Sequence, residues 1–221
     1  MIGNHDVLHP SQGNEANGCE NYAEFQEYLL SKAEDKGFSV LYDHDSLAYS
    51  IQFENIDVVG LQCVISGRKF SFPEGKQISC LKNHLEANKD SRWHLVLCHA
   101  PLLAHNPNRN TGNPYLGKNK MLQEIVDNCG KVIFLSGHTH VSPNRLTGNA
   151  EFDKHCGNIY LDCGSVVDTD TSSEKELMSL DWNDGCITEL FVTDREVEIC
   201  ISSIKTGIKF PRGYYRFNGT L

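Results

Sequence analysis

Apolar and polar positions along the chain recur with two periods, and the period assigns the elements. Almost uniformly apolar runs at 93–98 and 132–136 have strand length and predict strands buried on both faces; 56–61 and 159–162 predict further strands. Alternation of Leu47, Tyr49, Ile51 and Phe53 with Ala48, Ser50 and Gln52 predicts a hairpin arm that turns at Glu54-Asn55 into 56–61. Phe25, Leu29 and Ala33 have helical spacing, with Asn21 placed to cap that helix and Gly37 to stop it. Ile78, Leu81 and Leu85 predict a second helix over 76–88; Met121, Leu122, Ile125 and Val126 predict a third, capped by Asn119 and ended by Gly130. Stretches 176–182, 187–193 and 197–204, separated by turns, read as an antiparallel meander, and the tail from Gly207 is polar and aromatic. Stretches 7–18, 67–75 and 102–118 lack periodicity and read as loops.

Strands interleaved with helices and followed by a meander define an α/β chain, and 221 residues suffice for one substantial core, so 1–221 is read as a single domain. The formal net charge of -9, from 20 Lys+Arg against 29 Asp+Glu, disfavours a nucleic-acid backbone as partner, since such partners are held by clustered cations. A small substrate is expected instead. No apolar run approaches the roughly 18 residues that cross a bilayer, and the first residues lack the basic and apolar regions of a secretory leader, so no membrane partner and a cytoplasmic location are expected. The nine cysteines are odd in number and include no C-x-x-C pair. Most of them are expected to be small buried residues of a reduced protein, not a disulfide frame or a structural zinc site.

Candidate chemistry gathers where the apolar runs end. The run 132–136 stops at Gly137 and is followed by His138-Thr139-His140; the run 93–98 is followed by His99-Ala100-Pro101. Ligands collect outside the carboxyl ends of strands in α/β sheets, and neutral imidazole is the commonest metal ligand. Pro101 cannot continue a ladder and fixes the chain's exit beyond His99. At the N-terminus, Gly3-Asn4-His5-Asp6 sets an amide, an imidazole and a carboxylate side by side. An Asn4 carbonyl oxygen can ligate a metal and Asp6 can orient the His5 ring for proton transfer; the bland alternative is a polar leader. The stretch 102–118 is longer than the usual connection, and Arg109, Tyr115 and Lys118 within it are candidate contacts for an anionic substrate, against the alternative of a solvated loop.

These three blocks, Gly3-Asn4-His5-Asp6, His99-Ala100-Pro101 and Gly137-His138-Thr139-His140, occur in that order, each between strand and loop, and the chain resembles the calcineurin-like metallophosphoesterases. The resemblance implies an αββα four-layer sandwich with a two-metal centre of divalent ions (Mn²⁺, Fe²⁺ or Zn²⁺) at the strand ends. It implies that Asn4, His99 and His138 ligate one metal and His140 the other, that His5 donates a proton to the leaving oxygen or stabilises phosphoryl charge, and that Asp6 holds the His5 ring. Two further blocks of the family, an Asp-x-His and a Gly-Asp-x-x-Asp or Asn, belong upstream of Gly3, where only Met1 and Ile2 stand. The expectation is therefore a sandwich missing its first β-α-β unit, with ligands for one metal more nearly complete than for the second. Exposed sheet edges would then invite self-association. The expected function is metal-dependent hydrolysis of a small phosphate mono- or diester, completed by an upstream segment; the alternative is a non-catalytic metal-binding scaffold of the same fold.

Overall fold

The computed structural model describes residues 15–54, 56–66, 69–71, 75–89, 93–102, 120–137, 149–163, 185–193 and 195–218. In chain order the elements are α1 (Glu15–Asp35), β1 (Ser39–Tyr42), β2 (Tyr49–Gln52), β3 (Ile56–Leu61), β4 (Val64–Ser66), β5 (Lys69–Ser71), α2 (Lys76–Ala87), β6 (Trp93–Cys98), α3 (Lys120–Cys129), β7 (Val132–Ser136), β8 (Ala150–Asp153), β9 (Asn158–Asp162), β10 (Cys186–Val192), β11 (Glu196–Ser203) and β12 (Lys209–Asn218). The four apolar runs become β3, β6, β7 and β9, which pair in parallel at the centre of a seven-stranded sheet ordered β1-β2-β3-β6-β7-β9-β8. The alternating sequences take the antiparallel positions at its edges, β1 and β2 on one side and β8 on the other.

Parallel strands need cover on both faces, and the residues alternate accordingly. Val59, Leu61, Val96, Phe134 and Tyr160 face α2 and α3, meeting Ile78, Leu81, Leu85, Leu122 and Val126. Ile133, Ile159 and Leu161 face the other way and meet Val197, Ile199, Ile201 and Phe210 of a three-stranded sheet, β10-β11-β12. Each such side chain contributes roughly 1.5–3 kcal/mol by leaving water. Among the described residues the result is three layers: helices, the large mixed sheet and the small antiparallel sheet. Close packing at Gly60 requires the missing Cβ, because the ring of its cross-strand partner Tyr49 would lie 2.1 Å from one.

Several element boundaries differ from the sequence reading. Helix α1 is already running at Glu15, inside the stretch read as a loop and well before Asn21. Its stripe is also rotated: Phe25 and Leu29 are 58% and 50% exposed, whereas Gln26 and Leu30 are 4% and 5% exposed. Gln26 wins the buried place because its amide donates to the Leu47 carbonyl at 2.7 Å, satisfying a loop group that Phe25 could not. Met121 likewise is exposed on α3. The loop over 67–75 contains β5, which pairs with β4. The tail from Gly207 is strand β12, whose Phe210, Gly213, Tyr215 and Phe217 turn inward or are half-covered while Pro211 sits on a sheet edge that needs no ladder donor. Residues 103–119 and 176–182 lie outside the described residues.

At the amino end of the central strands the core encloses charge. Asp57 of β3 is fully buried, and His94, its partner in register on β6, places Nδ1 2.8 and 2.9 Å from the two carboxylate oxygens. His84 of α2 places Nε2 2.5 Å from Oδ2. Burial alone would push the Asp57 carboxyl up, but the two imidazoles hold it down at about 2. Burial alone would push His94 down, but Asp57 and the thiol of Cys129 hold it up at about 9. Asp57 is therefore an anion and His94 a cation at neutral pH.

Removing one partner of such a pair strands the other in the core, so Asp57→Ala is expected to lose about 3–5 kcal/mol in urea unfolding. The wild-type contribution is complete between the unfolded values of 3.8 and 6.5, fades as pH falls through about 2 where Asp57 protonates, and fades as pH rises through about 9 where His94 deprotonates. A melting temperature that stays level from pH 6.5 to 9 would contradict the pair.

Candidate metal centre

The parallel register brings four strand ends to one edge of the sheet. Leu61 is level with Cys98, Leu97 with Leu135, and Ser136 with Asp162. His99 is the first residue past the β6 ladder and is half-buried. Its carbonyl accepts from the amide of Gly137 at 3.0 Å, so the chain leaving β6 is tied to the chain leaving β7 one residue before His138. On the other side of β7, Cys163 donates its amide to the Ser136 carbonyl at 2.7 Å. Ala100, Pro101 and Leu102 are buried, which anchors the exit of His99 from below.

The neighbouring strand β3 braces this turn through sulfur. The Cys63 thiol shares a hydrogen bond with Cys98 and lies within hydrogen-bonding reach of the Ala100 and His99 amides. The Cys98 contact and those amides lower the Cys63 thiol, while the same contact and full burial raise Cys98. Both are buried, as expected for most of the cysteines, and their contact also braces the His99 turn. Only their placement two residues past β3 and at the end of β6 hinted at it. Next to Cys63, Gln62 and Gln77 of α2 form a two-way clamp: the Gln62 amide donates to the Gln77 side-chain oxygen at 2.6 Å, and the Gln77 side-chain nitrogen donates to the Gln62 carbonyl at 2.8 Å.

Of the residues singled out from sequence, His99 stands where expected, at the carboxyl end of a central strand. Asn4, His5, Asp6, Arg109, Tyr115, Lys118, His138 and His140 lie outside the described residues. Among the described residues no three His, Cys, Asp or Glu side chains converge as a metal cage. His99 is tied through its own carbonyl to Gly137, the residue preceding the next histidine block. Among the cysteines whose side chains are described, all are free; Cys63, Cys98, Cys186 and Cys200 are buried, and Cys80, Cys129, Cys156 and Cys163 are partly exposed. No described helix is long and apolar enough to cross a membrane.

The profile of the calcineurin-like phosphoesterases matches residues 1–142, and the chain belongs to that family. The fold is similar to that of the purple acid phosphatase from yellow lupin (Lupinus luteus) seeds, with a TM-score of 0.57 at 16% identity over 98% of this chain. This chain spans 39% of the lupin chain. A conserved uncharacterized protein from Streptococcus pneumoniae, a predicted phosphoesterase, matches with a TM-score of 0.34 at 10% identity over 71% of this chain and 96% of its own. A search of the curated proteins finds no match.

The glutamine clamp is the test of how β3 is held. Gln77→Leu leaves the Gln62 amide and carbonyl buried without that partner and is expected to cost about 1–3 kcal/mol in denaturant unfolding. A cost within error of zero would show that the clamp does not position the strand end.

Proposed function

We propose that this chain is a metal-dependent phosphoesterase that hydrolyses a small phosphate mono- or diester. The observation that supports it is the 3.0 Å hydrogen bond between His99 and Gly137. In a chain of this family, that bond ties together the two strand ends that lead into the imidazole blocks. In this reading Asn4, His99 and His138 hold one divalent ion and His140 the other. When bound, the ions supply an acidified water and neutralise phosphoryl oxygens.

The chain's own side chains do the rest. His5 gives its proton to the departing ester oxygen, which would otherwise leave as a costly alkoxide, and Asp6 keeps the ring charged and turned toward it. Arg109, Lys118 and Tyr115 bind the remaining phosphate oxygens and orient the ester for in-line attack. The Cys63–Cys98 clamp and buried Leu102 keep the His99 backbone fixed, so that little ordering is left for the moment of binding.

Metal retention tests the ligand assignment. Protein purified with Mn²⁺, Fe²⁺ or Zn²⁺ is expected to hold the ion through desalting, and His99→Ala and His138→Ala each to lose it while keeping the far-ultraviolet circular dichroism of the parent. Unchanged metal content in both variants would remove these histidines from the site.

Turnover tests the chemistry. With Mn²⁺ present, p-nitrophenyl phosphate or its diester is expected to be hydrolysed, and His5→Ala to lower kcat by roughly 10²–10⁴ without lowering metal content. Full metal occupancy with no hydrolysis of either ester would favour the scaffold reading over the enzyme.

A further inference from the structure

Helix α1 carries an exposed apolar stripe. Phe25, Tyr28 and Leu29, at i, i+3 and i+4, share one face and are exposed, whereas Gln26 and Leu30 share another and are buried. The rotation of the helix is locked from the core. Gln26 donates to the Leu47 carbonyl at 2.7 Å and accepts from the Gln62 side-chain amide at 3.3 Å, so rolling Phe25 and Leu29 inward would strand buried polar groups. The three exposed side chains span roughly 100° of the helix circumference, the width of a stripe that packs against another element.

The border of the stripe is acidic. The sequence of α1 has six Asp and Glu against one Lys. Glu24, Glu27, Glu34 and Asp35, at i, i+3, i+10 and i+11, form a row that lies between Tyr28 and the buried face. Lys32 is turned toward that row, with Nζ 3.1 Å from Asp35 and 5.4 Å from the centre of the Tyr28 ring. Glu24 and Glu34 are exposed, and Glu27 meets the exposed His44 ring at 2.9 Å.

We propose that this face of α1 is a docking surface for a helical segment of another protein whose own apolar stripe is bordered by lysine or arginine. Charge complementarity selects that occupant. A helix laid along α1 sets apolar anchors between Phe25, Tyr28 and Leu29 while its cations meet the row that begins at Glu24. A second copy would instead bring together two helices with the same excess of acid, and the chain's net charge of -9 adds to that repulsion. The same sign of charge disfavours an anionic lipid surface and a nucleic-acid backbone.

The probe is a fluorescein-labelled amphipathic peptide with leucines along one helical face and lysines along its borders, titrated with the full chain and followed by fluorescence anisotropy. A peptide of the same length with glutamate at every lysine position is the control. The lysine peptide is expected to bind roughly tenfold or more tightly than the glutamate peptide. Phe25→Asp and Leu29→Asp are each expected to weaken it about fivefold or more, with the circular dichroism of the parent retained, because both side chains are exposed. Each of these variants adds a negative charge, so attraction by charge alone would tighten binding. Unchanged or tighter binding in both would therefore overturn the stripe as the docking surface, and equal binding of the two peptides would overturn the cationic partner. Sedimentation velocity gives the remaining outcome: a dimer of the wild-type chain that Phe25→Asp dissolves would assign the face to a second copy and overturn the proposal.

Discussion

Parallel pairing of β3, β6, β7 and β9 is the constraint on which the rest of the structure depends. A parallel ladder forms only where both sheet faces are dry, so each strand must be apolar on both sides and something must cover each side. Helices α2 and α3 cover one face and the β10-β11-β12 sheet covers the other. The same arrangement fixes direction. Because all four strands run the same way and their registers are nearly level, their carboxyl ends meet at one edge and their amino ends at the other. A residue's place before or after its strand then decides which edge it serves.

That directional rule explains how much of the site could be read from sequence. Runs 93–98 and 132–136 were legible because both-face burial leaves an apolar signature, and their bounds agree with β6 and β7. The histidine after each run follows as a strand-end residue, which is where His99 stands. Other features leave no such signature. The burial of Gln26 in place of Phe25 depends on a carbonyl at Leu47 that is distant in sequence, and helical spacing cannot register it. Strand β12 was hidden by Pro211 and by the run of polar and aromatic residues, since an edge strand tolerates both. The Cys63 and Cys98 contact was hinted at only by placement near two strand ends, because scattered cysteines look alike until neighbouring strands align them.

The two ends of the sheet use histidine in opposite ways, and the surroundings explain why. His94 is the second residue of β6, inside the ladder and under α2 and α3, where its charge is tolerable only with Asp57 against it. His99, five residues further on, is past the last ladder bond and half-buried, and its place is fixed by main-chain bonds to Gly137 and the Cys63 clamp. Fixing the His94 imidazole through its ring assigns Nδ1 to the core. A strand start enclosed by crossing helices therefore favours a structural ion pair, whereas the strand end at His99 is held by main-chain bonds.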